Sequence, residues 1–375
     1  MILLLCRIIG WPLNCHATEL KETHIEENAE EMIKDLDLQE IQDAADEMLG
    51  EYDYSISDHL KKLLQGDSLD FWNAGELVKE YLTNLWQDWK NTLIQIMVLV
   101  LVAGILTNFT DIFQNGQMSE ISFYVVYLLL FVLLVSRFMG MAEQMESKMQ
   151  QLLEFMRTLA PAYYLAVTAS QGAGSAVAFY EIMLVLFACE QWVMMRVLLP
   201  AINIYVMMKL INYLSKEELL TRFTELLLTL IQWTLRLVLS LVIGMQTIRQ
   251  MVEPALDSFR RTIIGKTASS IPAIGDAIDA VTEMVIGSAV LIRNCLGAVV
   301  LIVLFISMVY PVLYYGMHSL GYRALGAVTQ PISDKRITGC LETFGEGCAL
   351  LLKLYCYAQI LLIVSIAMIG VSFRG

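Results

Sequence analysis

Apolar and polar positions alternate along this chain in a few long blocks. Leu93–Phe109 and Ile121–Phe138 are almost wholly apolar, and a short polar loop at Asn115-Gly116 joins them. A helical membrane crossing needs about 20 mainly apolar residues, so these runs predict two spans over 91–158, followed by a charged amphipathic connector at 139–158. From Leu159 onward further apolar runs continue to the C-terminus, for six or seven spans in all. Upstream, residues 18–90 show the opposite pattern. Ile25, Met32/Ile33, Leu36, Ile41, Ala44/Ala45 and Met48 recur at helical spacing among acidic residues, which predicts short amphipathic helices. Ser57 or Asp58 is placed to cap a helix carrying Leu60, Leu63 and Leu64, and Asp67/Ser68 the next. Trp86 and Trp89 precede the first apolar run, where interfacial aromatics belong.

The membrane part repeats itself. Pro161 and Pro272 are 111 residues apart, Gly174-Ser175-Ala176-Val177 and Gly287-Ser288-Ala289-Val290 are 113 apart, and Pro200 and Pro311 are again 111 apart. Ser215-Lys216-Glu217-Glu218 is similar to Ser333-Asp334-Lys335-Arg336, 118 residues on; Glu225 and Glu342, like Arg236 and Lys353, are 117 apart. The order is kept and the offsets stay between 111 and 118. This predicts a duplicated core, 159–246 and 271–375, with 247–270 as a basic amphipathic linker on the cytoplasmic side. Chance likeness among apolar segments of low diversity is the competing explanation. Small-residue stretches containing Pro161, Gly172 and Gly174, and Pro272, Gly275, Asp276 and Asp279, open the two units. They read either as broken helices lining a cavity, the only place where unpaired backbone is tolerated at membrane depth, or as loops leading into closely packed small-residue faces.

Composition agrees. Of 375 residues 57% are hydrophobic and 17% charged, with a mean hydropathy of +0.59, against about 25% charged in soluble domains. The net charge of −13 resides in residues 18–90, which hold 20 acids against 6 bases; residues 91–375 hold 18 of each. No basic patch suits nucleic acid. Residues 1–17 read as a degenerate export signal, with Arg7 the only base, or as a weak retained anchor. Either places 18–90 outside the cytoplasm; a misplaced start is the third possibility. The predicted fold class is thus all-α: a polytopic helical membrane protein with a small acidic helical extracytoplasmic N-terminal region and a duplicated core.

Candidate chemistry is sparse. The seven Cys form no C-x-x-C pair, and the four His are scattered, so neither a disulfide framework nor a metal site is expected. No nucleotide-binding or nucleophile-elbow motif is present. No catalytic residue, cofactor or metal is therefore assigned, and the chain is not expected to be an enzyme. Ionisable groups inside apolar runs tend to face a bundle interior. Candidate pore or interior polar residues are Glu181, Glu190, Arg196, Arg236, Arg293, Asn294 and Lys353. For Arg236, pairing with Glu181 or Glu190 is the structural alternative; Lys353, nearer a span end, is placed to snorkel.

Three segments carry a family likeness. R-R-T-I-I-G-K-T-A-S-S-I-P-A-I-G-D-A-I-D-A-V-T-E-M (Arg260–Met284), Arg293-Asn294-Cys295-Leu296-Gly297, and Q-P-I-S-D-K-R-I (Gln330–Ile337) with Gly345 after it resemble, in this order, the stage III sporulation protein AE family. The likeness covers about 90–375; the weak signal at 1–17 departs from it. It implies a multi-pass protein of the mother-cell membrane around the forespore, acting as the permease-like or export-gate component of a channel between the two cells. The implied partners are an ATPase, ring-forming subunits and a forespore-side protein, besides the lipid bilayer and other copies of the chain. A non-conducting scaffold and an independent secondary transporter are the alternatives.

Overall fold

In the computed structural model, the described residues are 38–50, 52, 54–65, 74–112, 116–171, 175–214, 220–268, 275–331 and 333–371. Side chains at 163–183 and 249–287 lie outside that description, as do residues 1–37 with the export signal and the first predicted amphipathic turns.

The described chain is helical with no strand. The helices are α1 (Leu38–Leu49), α2 (Ile56–Leu64), α3 (Ala74–Ile112), α4 (Gly116–Gln171), α5 (Ser175–Val193), a π-helical turn (Met194–Leu198), α6 (Leu199–Asn212), α7 (Thr221–Ala268), α8 (Gly275–Thr329) and α9 (Lys335–Val371). Among the described residues five helical stretches are long and apolar enough to cross a membrane: Tyr124–Ala162, Leu184–Asn212, Thr221–Met245, Ser288–Thr329 and Lys335–Ile366. The Leu93–Phe109 run falls inside α3.

Helix α9 is the hub. In its most apolar window 61% of the residues are buried, against 22% for α7. Glycines make this possible, because small residues let membrane helices approach closely. A Cβ on Gly339 would lie 2.6 Å from the Tyr213 ring; on Gly345, 2.9 Å from the Ser319 carbonyl oxygen; on Gly347, 2.6 Å from Val206 and 2.7 Å from Phe138. The side of α9 is thus keyed to α8, to α6 and to α4. The Gln330–Ile337 motif explains the turn into α9. Asp334 stands just before it and accepts the Arg336 backbone N–H at 2.8 Å, satisfying a donor that the first turn leaves open, while Ile337 is buried.

Contacts fix the direction of the hairpins. Tyr127 of α4 donates to the Leu210 carbonyl near the end of α6 and lies 3.1 Å from Cys340 Sγ near the start of α9. The α6–α7 and α8–α9 loops therefore lie at one end of the bundle. The unit α5–α6–α7 and the unit α8–α9 each run towards that end, turn, and run back, so the two hairpins are parallel rather than inverted.

The amphipathic stripes of the N-terminal region find their partner within the chain. Ile41, Ala45, Met48 and Leu49 of α1 and Ile56, Leu60 and Leu64 of α2 join the core together with Met141, Met145, Met149, Leu152 and Phe155 of α4, and α1 packs along α4 while α2 packs on α8. Glu40, Asp43, Asp46 and Glu47 remain exposed on the outer side of α1. Gly50 ends α1 in the left-handed region (φ +70°). Gln42 then stitches the turn, donating to the Tyr54 carbonyl (2.8 Å) and accepting from the Ile56 N–H (2.7 Å). Tyr54 stacks on His59, ring centroids 4.2 Å apart, and burial raises its phenol pKa above the ordinary value.

Three local expectations are corrected. The α2 cap is Ser55, which accepts from the Asp58 N–H, rather than Ser57 or Asp58. Helix α3 runs through position 90, the expected edge of the membrane part. Trp89 lies against α8, where a Cβ on Gly321 would overlap its ring, whereas Trp86 is exposed. Pro161 does not break a helix: α4 continues through it to Gln171, as membrane helices allow when neighbours satisfy the freed carbonyl. Gly275, Asp276 and Asp279 likewise begin a helix that runs unbroken to Thr329, while Gly172, Gly174 and Pro272 lie outside the described residues. The irregularity that does occur is the π turn at Met194–Leu198, which no sequence signal indicated.

Candidate functional site: polar groups within the helical bundle

The candidate polar residues divide by face. Glu190 and Arg293 are interior, 5% and 1% exposed. Arg196, Arg236, Asn294 and Lys353 lie on the outside of the bundle, which corrects their assignment to its interior. The cause is register: α7 buries Ile231, Leu235, Val238 and Val242, a stripe that leaves position 236 on the opposite side. Glu181 belongs to α5, and its side chain is outside the described residues.

Glu190 and Gln191 stand four and three residues before the π turn. Gln191 is fully buried, and among the described residues neither Glu190 Oε1 nor either polar atom of the Gln191 side chain has a hydrogen-bond partner. Unsatisfied buried groups are costly, and π turns recur where a helix is kept irregular for function. Arg293 donates to Asn294 Oδ1 at 3.2 Å.

A second polar cluster closes the loop end of the bundle. Lys209 Nζ of α6 donates to Glu346 Oε2 of α9 at 2.6 Å and to the Tyr205 hydroxyl at 3.0 Å. Beside it, Asn212 at the end of α6 ties down the far end of the α6–α7 loop, donating to Thr221 Oγ1 (2.9 Å) and accepting from the Leu220 N–H (2.8 Å). Tyr205, Lys209, Asn212 and Thr221, with Tyr213, Thr224, Glu225 and Leu228, line a small cavity of about 170 Å³. A third cluster joins α8 to α9: Gln359 Nε2 donates to Ser307 Oγ (2.8 Å) and to the Leu304 carbonyl (3.1 Å), and the Tyr355 hydroxyl donates to the Ser307 carbonyl (3.3 Å).

Sequence reasoning missed Lys209, Glu346, Gln191 and Gln359. Gln191 and Gln359 carry no charge, so a search for ions passes over them. Lys209 and Glu346 were legible only as single charges near span ends; nothing in the chain indicates that residues 137 apart meet. Among the described residues no three His, Cys, Asp or Glu side chains gather as a metal site would require.

The outward arginines set a physical problem. Arginine at the centre of a membrane helix costs about 2.5–3.5 kcal/mol by insertion scales. Arg236 lies among exposed Trp233, Leu237 and Leu241, and among the described residues neither it nor Arg196 has a hydrogen-bond or ion-pair partner.

These features define an all-helical, multi-pass membrane protein whose polar groups sit at helix–helix contacts and on the outer face. The family model for stage III sporulation protein AE matches residues 54–372; the chain belongs to that family, among the proteins of sporulation. It is similar to the stage III sporulation protein AE of Bacillus subtilis (strain 168), with 21% identity over 257 residues, 68% of this chain and 64% of that protein. The alignment thus spans less than two thirds of that relative's length. No solved structure matches the chain.

Proposed function

We propose that this chain is the permease-like gate subunit of a channel between mother cell and forespore, set in the mother-cell membrane with residues 18–90 outside the cytoplasm. The gate is passive and catalyses no reaction. With no nucleotide motif in the sequence, the work comes from an ATPase partner, and ring-forming and forespore-side subunits complete the path. The observation that carries this reading is the Glu190–Gln191 pair beside the π turn. Buried polar groups without partners do not stabilise a resting fold; they suit a helix whose other register offers them water or a partner. The π turn is where such a register change costs least, because its extra residue can migrate along the helix.

The test separates function from folding. Glu190→Leu removes a buried carboxyl that has no partner, so the folded protein is expected to be as stable as the wild type or more so. Late forespore gene expression is nevertheless expected to fall, while Glu190→Gln falls less. Normal expression in Glu190→Leu at wild-type protein level would remove Glu190 from the gate.

The scaffold reading has its own support. The bundle interior is filled by Tyr127, Phe138, Phe155, Tyr315, Tyr322, Phe344 and Tyr355, all fully buried. It expects Glu190→Leu to sporulate normally and disruption of the α1–α2 pair to be decisive. An independent transporter would show uptake in liposomes containing this chain alone.

A further inference from the structure

Arg196 and Arg236 lie at one level of the bundle. Arg196 is 16 residues before Asn212, where α6 ends, and Arg236 is 15 residues after Thr221, where α7 begins. The α6–α7 loop makes these helices antiparallel neighbours, so both arginines stand about 22–24 Å from it at the usual rise. Along α7 the nearest flanking charges are Glu225 and Arg249, 11 and 13 residues away, or about 16 and 20 Å. Arg236 is therefore central in its apolar stretch. Exposed Leu226, Leu230, Trp233, Leu237 and Leu241 surround it, with Trp192 and Val197 beside Arg196. An apolar outer face with two cations at mid-depth is a poor fit to lipid tails.

We infer that this face of α5–α7 docks a membrane-spanning helix of a different protein, one that carries an Asp or Glu near the middle of its apolar run. The charge pattern selects this occupant. A two-fold contact between copies of this chain would set arginine against arginine. A head-to-tail contact would need an outward carboxylate at the same depth on an apolar face. Among the described residues of the spans the exposed acid at that depth is Glu143, about 24 Å beyond Tyr127 along α4. The side it stands on is polar, with Ser136, Arg137, Gln144, Ser147 and Gln150 also exposed, so it leaves the leucines uncovered. A carboxylate-bearing helix satisfies the arginines and covers the leucines together. The inference rests on the reading of the chain as one subunit of a multi-protein membrane assembly.

The test needs no sporulating cell, so its failure is distinct from failure of the gate reading. The full-length chain is placed in phosphatidylcholine vesicles with a synthetic Leu/Ala membrane-spanning peptide bearing one central Glu and a dansyl group; a central-Gln peptide is the control. Energy transfer from tryptophan reports association, and Trp233→Phe shows how much arises at this face, since Trp233 precedes Arg236 by one helical turn. The Glu peptide is expected to associate about tenfold more tightly than the Gln peptide, the size of a polar contact between membrane helices. That preference disappears in Arg196→Leu/Arg236→Leu and survives in Arg236→Lys, which separates lost charge from lost fold. Equal association of the two peptides with the wild type would overturn the inference. So would a preference that vanishes when anionic phosphatidylglycerol is added, which would make lipid phosphate the partner. Labelling of Arg236→Cys by a membrane-impermeant thiol reagent would overturn it as well, because the face would then line water.

Discussion

At the scale of single residues, this fold depends on where a side chain is absent as much as on where one is present. Gly347 leaves no room for a Cβ between Val206 and Phe138, both buried in the α6 and α4 faces. Gly347→Val is expected to destabilise the bundle by about 1–3 kcal/mol, the range for overpacking a filled core; a lower midpoint of thermal aggregation in detergent would register it. Lys209 and Glu346 are both about 70% covered and hold α6 to α9. Glu346→Lys places like charges together and is expected to reduce folded protein in the membrane, whereas Lys209→Glu with Glu346→Lys restores the pair and much of the yield. A double variant no better than Glu346→Lys would show that the pair does not couple the helices. Neither effect was visible in the chain: both depend on what sits across a helix contact from distant sequence.

At the scale of elements, periodicity identified which faces are apolar but not what covers them. The stripe of Ile41, Ala45 and Met48 is covered by α4, whose charged connector region carries a matching stripe of Met141, Met145, Met149 and Leu152. Ile41→Ala is expected to cost about 2–5 kcal/mol in the docking of α1, as for other large-to-small changes in a core. Limited trypsinolysis after Lys61 and Lys62 measures it as faster cleavage, because a pair that opens more often is cut more often. Unchanged cleavage would mean that α1 is held by something other than its apolar stripe. Helix ends show the same division. The apolar run marks that a helix passes near Leu60, yet the cap moved to Ser55 because Gln42 fixes the preceding turn from 14 residues away. Pro161 and the residues from Gly275 onward suggested breaks, but neighbouring helices hold long helices intact through such positions, and the real irregularity is a π turn.

At the scale of the whole molecule, the two helix–loop–helix units run in one direction and bring their loops to one end. Single cysteines at Arg222 and at Lys335, both exposed at the loop end, are expected to react with impermeant reagents from the same side of the membrane. Labelling from opposite sides would contradict the parallel arrangement. This orientation also gives the likeness between 159–246 and 271–375 a physical setting, since related parallel hairpins present related faces.

The sequence by itself determined that the chain is helical and membrane-bound, where its long apolar runs lie, and which family it belongs to. Those properties follow from local quantities: hydropathy summed over some 20 residues, the 3.6-residue period, and short motifs. Burial of a given ion is not local. Glu190 and Arg293 turn inward while Arg196, Arg236 and Lys353 turn outward, though all five stand in similar apolar surroundings along the chain. Only packing chooses, because a rotation of one helix by about 100° per residue exchanges core for surface, and that rotation is set by glycines, tyrosines and ion pairs contributed from elsewhere in the fold.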